Sequence, residues 1–147
     1  MGIQNQRDIS LHPLVIGGRC VTRREQVAQD AQRSGAMALG TVMAYDSANT
    51  NWVPLTDVTA TDGTQIACGI LYEALTEAAI QAGNIDNVTI IVLDAILNED
   101  LITFENSLTK DSVVTVPTNY KQSVEQCLLD KGLVLVDTEE ASSYEAA

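Results

Sequence analysis

The chain has 147 residues, a normal length for one domain, and a formal net charge of −12. Such an acidic chain repels phosphate backbones, and it has no run of about 20 apolar residues that could cross a bilayer, which argues against nucleic-acid and membrane partners. Its start lacks the basic and apolar regions of a secretory signal, so we expect a protein that is made in the cytoplasm.

The charge is unevenly spread along the chain. Residues 1–35 hold five arginines and three carboxylates, whereas the remainder holds three lysines and seventeen carboxylates. A mildly basic segment on an acidic body suits attachment to an acidic protein surface. It is equally compatible with a segment that is merely solvated.

Residues 1–35 are predicted to form an N-terminal arm. Residues 1–20 contain little apolar surface to offset the entropy of ordering them, apart from one β-competent run, LHPLVI. The arm either adds as a strand to the sheet edge of a partner or packs on its own domain. In the first case the contact residues are Leu11, Pro13, Leu14, Val15 and Ile16.

The second half of the arm has a helical local pattern. Thr22 and Glu25 have the spacing of a capping box, and Gly35 is a plausible terminator. The apolar side of this segment is thin, so an isolated helix here would be marginal.

Residues 36–137 are predicted to form a mainly β domain. Two apolar runs, Leu39–Tyr45 and Gln65–Leu71, flank a Trp-Val-Pro step and an Asp62–Gly63 pair, which is a strong signal for a tight turn. Trp52 and Pro54 are candidates for a subunit interface, because buried aromatic residues often dominate such contacts. A position of Trp52 in the domain core is the alternative.

Further apolar segments follow in the second half of the domain. Val88–Leu93 is apolar on nearly every residue and predicts a central strand, with Leu101–Phe104 as a short hairpin partner. Ser112–Val116 predicts another strand, stopped by Pro117. Between the strands, Glu73–Gly83 has the composition of a loop that contains a short helix.

The end of the domain predicts a helix followed by a strand. Asn119 can cap the helix, whose apolar face is marked by Val124, Cys127 and Leu128. Gly132 ends it, and Leu133–Val136 is the strand. Residues 138–147 are predicted to be a frayed, acidic tail.

The order of these motifs, taken together, resembles the head decoration protein family of tailed bacteriophages. The resemblance covers a Gly-Thr-Val-Met strand start, the Trp-bearing strand, and the segment with Asp62, Gly63, Gly69 and Ile70, to which it assigns structural roles. That family carries a strand at the place of residues 22–34, so both helix and strand remain open there.

The resemblance implies a fold and a function. The fold is mainly β with minor α: a small, tulip-like β-barrel, one C-terminal helix followed by a strand, and an extended N-terminal arm. The function is that of a structural, non-enzymatic homotrimer without metal or cofactor. It sits on the outer surface of the expanded capsid at local three-fold positions, where it holds major capsid protein subunits together against the pressure of packaged DNA.

Two other classes of function remain as alternatives. The first is an oligomeric β-barrel binding module of a phage tail or baseplate, with no capsid contact. The second is a small hydrolase, which would need the single histidine, His12, to meet Cys20, Cys68 or Cys127. The odd number and wide spacing of the cysteines indicate buried structural thiols rather than a disulfide framework or a metal site.

Overall fold

Six β-strands and two short α-helices build the part of the chain that the computed structural model describes, residues 13–115 and 121–137. Leu11, His12, the cap position Asn119 and the acidic tail lie outside the described residues. The strands are β1 (Val15–Val27), β2 (Val42–Asp46), β3 (Asn51–Pro54), β4 (Ala67–Leu71), β5 (Ile85–Asn98) and β6 (Leu133–Val136), and the helices are α1 (Glu77–Ala82) and α2 (Val124–Leu129).

Five of the strands close into a barrel. Their order is β1-β3-β2-β4-β5, and β5 pairs back with β1 in antiparallel fashion. The sixth strand, β6, lies outside the ring and runs parallel to β5, with Leu133 opposite Ala95 and Val136 opposite Asn98. The prediction of a small, mainly β barrel with minor α content is confirmed.

The barrel closes through a narrow seam between β1 and β3. These two parallel strands pair only at Val27 and Trp52, supported by a hydrogen bond from the Ala28 N–H to the Trp52 carbonyl (2.9 Å). β3 begins at Asn51, so no described strand pairs with this edge of β1 over residues 15–26. The other edge of β1 pairs with β5 along its length.

Two long strands, β1 and β5, form a ribbon that is interrupted by β-bulges. Gly18, Cys20 and Asp94 have φ values of 84°, 52° and 55°, in the left-handed region that non-glycine residues seldom adopt. Arg19 pairs with the Asp94 carboxylate across the ribbon. Such bulges bend a strand pair and increase its local twist, and beyond them β5 pairs with β6 from Ala95 to Asn98.

The hydrophobic core consists of two clusters on opposite faces of the strands. Ile90 and Val92 of β5 belong to one cluster, whereas Ile91 belongs to the other, as the alternation of side chains along a strand requires. The Ile91 cluster is covered by α2 and β6. The other cluster includes a side chain from each of the five barrel strands and is closed by Leu75 and Ile80.

The helical pattern in the arm proves misleading, because residues up to Val27 form β1. Pairing with β5 supplies backbone hydrogen bonds and buries Val27, which the thin apolar side of a helix could not match. Residues 28–34 contain turns and no helix. Residues 15–27, assigned from sequence to the arm, are thus an integral part of the barrel.

Two further predicted strands are reduced to single bridges. Leu101–Phe104 follows a 3-10 turn (Glu99–Leu101) and contributes only Thr103, which bridges Thr41 in parallel, so it is not a hairpin partner of β5. Within the described part of Ser112–Val116, only Val113 bridges to Ser123. These segments instead cover the Ile91 cluster with Ile102 and Val114.

Both helices have the caps that local chemistry favours. The Thr76 side chain accepts a hydrogen bond from the Ala79 N–H (3.1 Å), which confirms a short helix within Glu73–Gly83. The predicted C-terminal helix is present, but α2 is capped by Ser123, which forms a capping box with Gln126. The strand predicted at Leu133–Val136 is confirmed as β6.

Candidate assembly surfaces

The predicted contact residues of the arm lie at the start of β1. Leu14 is fully buried and Val15 is 7% exposed, both within the Ile91 cluster, whereas Pro13 is exposed and Ile16 is half-buried. The Asn98 N–H donates to the Leu14 carbonyl (2.8 Å). Leu14 and Val15 therefore pack on their own domain, and a capsid contact through this segment stays a prediction that now concerns its backbone and the residues before it.

The backbone edge of β1 has the geometry that strand addition requires. Over residues 15–26 this edge faces no other described strand, although Gly18 and Cys20 interrupt its regular pleat. An unpaired edge presents N–H and C=O groups that can pair with an extended segment of another chain.

The predicted interface residue Trp52 is buried, with 7% of its surface exposed. Its ring packs edge-on against Tyr45, with the ring centroids 5.5 Å apart, and Tyr45 is 37% exposed. Pro54 is half-buried opposite Met43. The structure brings Trp52 into the core, so its exposed neighbour Tyr45 is the aromatic side chain that can reach a partner there.

The Asp62–Gly63 turn has the predicted local chemistry. The Asp62 carboxylate accepts hydrogen bonds from the Thr64 N–H (3.0 Å) and hydroxyl (2.6 Å), which lower the pKa of this carboxyl group. Gly63 has a φ of 98°, which glycine adopts without steric cost. The turn leads the chain into β4.

The two remaining motif residues, Gly69 and Ile70, lie next to each other in β4 and face opposite sides. A Cβ atom on Gly69 would lie 2.7 Å from Cζ3 of Trp52 and 3.0 Å from Cγ2 of Ile90, so the ring occupies the space that a side chain would need. Ile70 is fully buried between Val42 and Ile91. The motif therefore fixes the packing of Trp52.

A groove of about 300 Å³ opens beside the seam of the barrel. Because its existence depends on how far β1 and β3 pair, no local sequence pattern predicted it. Burial raises the pKa of its Cys68 thiol to about 11, opposite to the shift that activates a nucleophilic cysteine. We call it the seam groove; its lining residues are Arg23, Trp52, Cys68, Val92, Leu93 and Lys131.

The described ranges, residues 13–115 and 121–137, contain neither a metal site nor a membrane-spanning helix. No cluster of three or more His, Cys, Asp or Glu side chains there could hold a metal ion. No helix within those ranges is long and apolar enough to span a membrane.

Comparison with known proteins places this barrel in a family. No curated protein matches the chain significantly. The family model of the bacteriophage lambda head decoration protein D matches residues 10–116, which is more than two thirds of the chain and spans all five barrel strands. The chain therefore belongs to the bacteriophage lambda head decoration protein D family.

Proposed function

We propose that this protein binds as a homotrimer to the outer surface of the expanded phage head, at local three-fold sites of the major capsid protein, and stabilises the head against the pressure of packaged DNA. The observation that carries the proposal is the family match across the whole barrel. Membership of this family identifies the chain as a structural protein of the phage capsid.

The start of β1 supplies a physical route for attachment. A capsid segment that pairs with the open edge near Val15 and Ile16, or with the preceding residues, would gain backbone hydrogen bonds without disturbing the buried side chains of Leu14 and Val15. Three such arms on one trimer raise each other's effective concentration, so modest contacts per arm add up to tight attachment.

Stabilisation of the shell follows from mass action. A ligand that binds the closed shell and not its opened form shifts the equilibrium towards the closed form, by about 2.7 kcal/mol when its free concentration is 100 times the dissociation constant. The protein thus needs no chemical reaction to strengthen the head.

Deletion of residues 1–12 tests the attachment route. Because β1 begins at Val15, we expect this deletion to leave the barrel folded and to reduce binding to expanded, undecorated heads at least tenfold. Binding is measured by co-sedimentation with heads and by imaging of density at the three-fold positions. The matched control is a chain that ends at Asp137, which lacks a terminal segment of similar length at the other end.

Two results would contradict the proposal in different ways. Unchanged binding after the deletion would refute residues 1–12 as the attachment element, leaving the open edge of β1 as the remaining route and decoration intact. A full-length chain that does not bind heads at all would favour the alternative, an oligomeric barrel module of the tail or baseplate.

A further inference from the structure

We propose that the seam groove is a docking site for the acidic C-terminal segment of the same chain, residues 138–147. The groove shares Arg23 with the open edge of β1 and Trp52 with the predicted subunit interface, but the occupant proposed here is neither the capsid nor another subunit. The lining of the groove combines apolar and aromatic side chains with two cations, Arg23 and Lys131, which we call the rim cations, and this combination suits an acidic peptide with an aromatic side chain.

The groove exists because the barrel wall is incomplete beside the seam. β1 and β3 are hydrogen-bonded only at Val27 and Trp52, and four residues earlier β1 has diverged far enough for Arg23 to line the groove. On the other side, β5 contributes Leu93, which is 37% exposed although its neighbour Val92 is buried. An extended segment could cover this apolar surface.

The two rim cations make no ion pair within the described ranges. Arg19, Arg33 and Lys110 each have a carboxylate partner within 4 Å, and Arg23 and Lys131 do not. Arg24 and Lys121 have no ion pair in the described ranges either, but only Arg23 and Lys131 line this groove together. The rim cations supply a local positive potential on an otherwise acidic surface.

Trp52 adds a polar group that lacks a partner. Its indole Nε1 is buried and has no hydrogen-bond acceptor, although more than 90% of buried polar groups in proteins are satisfied. Trp52 itself is 93% buried, given its 7% exposure, and it lines the groove. Because Nε1 is itself buried, it does not contact a docked segment directly, and its N–H instead senses a change in the packing of the ring that lines the groove.

The C-terminal segment has the matching chemistry. Residues 138–147 contain Glu139, Glu140, Glu145 and an aromatic residue, Tyr144, and no cation. Its charge is therefore opposite to that of the rim cations, and Tyr144 suits the apolar part of the lining.

The C-terminal segment is also long enough to reach the groove. β6 ends at Val136 opposite Asn98, and Leu93 lies five residues back along β5, which is about 17 Å at 3.3 Å per residue. Ten extended residues span about 33 Å, so the segment can return to the groove of its own chain with residues to spare.

The indole N–H of Trp52 provides a specific probe, because Trp52 is the only tryptophan and gives one indole resonance in a ¹H–¹⁵N spectrum. We expect this resonance to differ between the full chain and a chain that ends at Asp137. Adding a peptide of residues 138–147 to the shortened chain should shift the resonance back towards its full-length position. In the full chain, 1 M NaCl should move the resonance towards its shortened-chain position, because the Debye length is then about 3 Å.

Charge reversal at the groove distinguishes docking of the C-terminal segment from a general effect of the net charge on the indole resonance. Arg23→Glu with Lys131→Glu should give the full chain the indole position of the shortened chain. The matched control is Arg24→Glu with Lys121→Glu, which reverses two exposed cations outside the groove and should leave the resonance in place. Dispersed backbone resonances in each variant verify the fold.

Several outcomes would overturn the proposal. Identical indole positions in the full and shortened chains would refute docking. Equal effects of the two charge-reversal pairs would refute the groove as the site. A tail-dependent shift that disappears on dilution would refute docking within one chain and identify a second copy as the occupant. None of these outcomes bears on head binding, so the proposed function is tested separately.

Discussion

Gly69 controls the position of Trp52 at the closure of the barrel. The Trp52 ring carbons Cζ3 and Cη2 lie 2.7 and 3.1 Å from the place where a Cβ atom would stand, and Cγ2 of Ile90 lies 3.0 Å from it. Trp52 in turn pairs with Val27, so the missing side chain at position 69 allows the ring to pack inward and β3 to meet β1.

Gly69→Ala is expected to lower the free energy of unfolding by about 1–3 kcal/mol, because the added methyl group overpacks the core against a ring that is held on several sides. Urea unfolding measures the change. Gly83→Ala is the control, since Gly83 has an extended backbone and open space around its Cβ position, and it should change stability by less than about 1 kcal/mol. Equal effects of the two substitutions would contradict the role assigned to the ring.

At the scale of elements, an ion pair joins two connecting segments that carry little regular structure. Arg33, in the segment between β1 and β2, binds the Glu105 carboxylate and also donates to the carbonyls of Gly35 (3.0 Å) and Ala36 (2.9 Å). The side chains of Arg33 and Glu105 are only 8% and 20% exposed. The planar fork of the guanidinium group suits several acceptors at once.

Arg33→Met is expected to lower the free energy of unfolding by about 2–4 kcal/mol, because it leaves the Glu105 carboxylate without its cation and two carbonyls without a donor. Arg33→Lys should recover part of this loss of stability, since lysine restores the positive charge but lacks the planar guanidinium group that donates to several acceptors at once. Arg24→Met removes an exposed arginine with one backbone contact and should cost less than about 0.5 kcal/mol. If Arg33→Met were as mild as Arg24→Met in thermal unfolding, the ion pair would not hold the two segments.

The elements with strong local sequence signals were predicted correctly, whereas the features that depend on pairing between distant residues were not. β6 has its predicted bounds, and α1 lies within the segment that was predicted to contain a short helix, because both depend on neighbouring residues. The capping-box spacing of Thr22 and Glu25 was misleading, since pairing with β5, which is more than 60 residues away, outweighs a marginal helix. The seam groove could not be predicted, because it depends on where the pairing of β1 with β3 stops.

At the scale of the whole molecule, the predicted trimer needs an exposed contact surface. The sequence analysis predicted Trp52 and Pro54 as residues of this subunit interface. In the protomer Trp52 is buried, so we expect the contact near it to be made by Tyr45, whose exposed ring packs against the indole. Leu101 is exposed to nearly the same extent as Tyr45, 38%, and therefore provides a matched control position away from Trp52.

Sedimentation equilibrium is expected to give three times the 15.8 kDa mass of the chain, and Tyr45→Glu is expected to shift the distribution towards monomer, because it would bury a charge in the interface. Leu101→Glu should leave the trimer unchanged. A monomeric native chain would contradict the trimer itself. Dissociation by Leu101→Glu but not by Tyr45→Glu would place the interface at Leu101 rather than at Tyr45.

The long pairing of β1 with β5 also determines how the molecule bears force. Tension on the residues before Val15 enters β1 along the strand axis, and the hydrogen bonds of an antiparallel pair lie perpendicular to that axis. Such a pull loads many bonds together in shear, whereas a pull across the ribbon would peel them apart one by one. If the capsid contact lies before Val15, as proposed, strain in the shell would therefore load the pairing of β1 with β5 in shear.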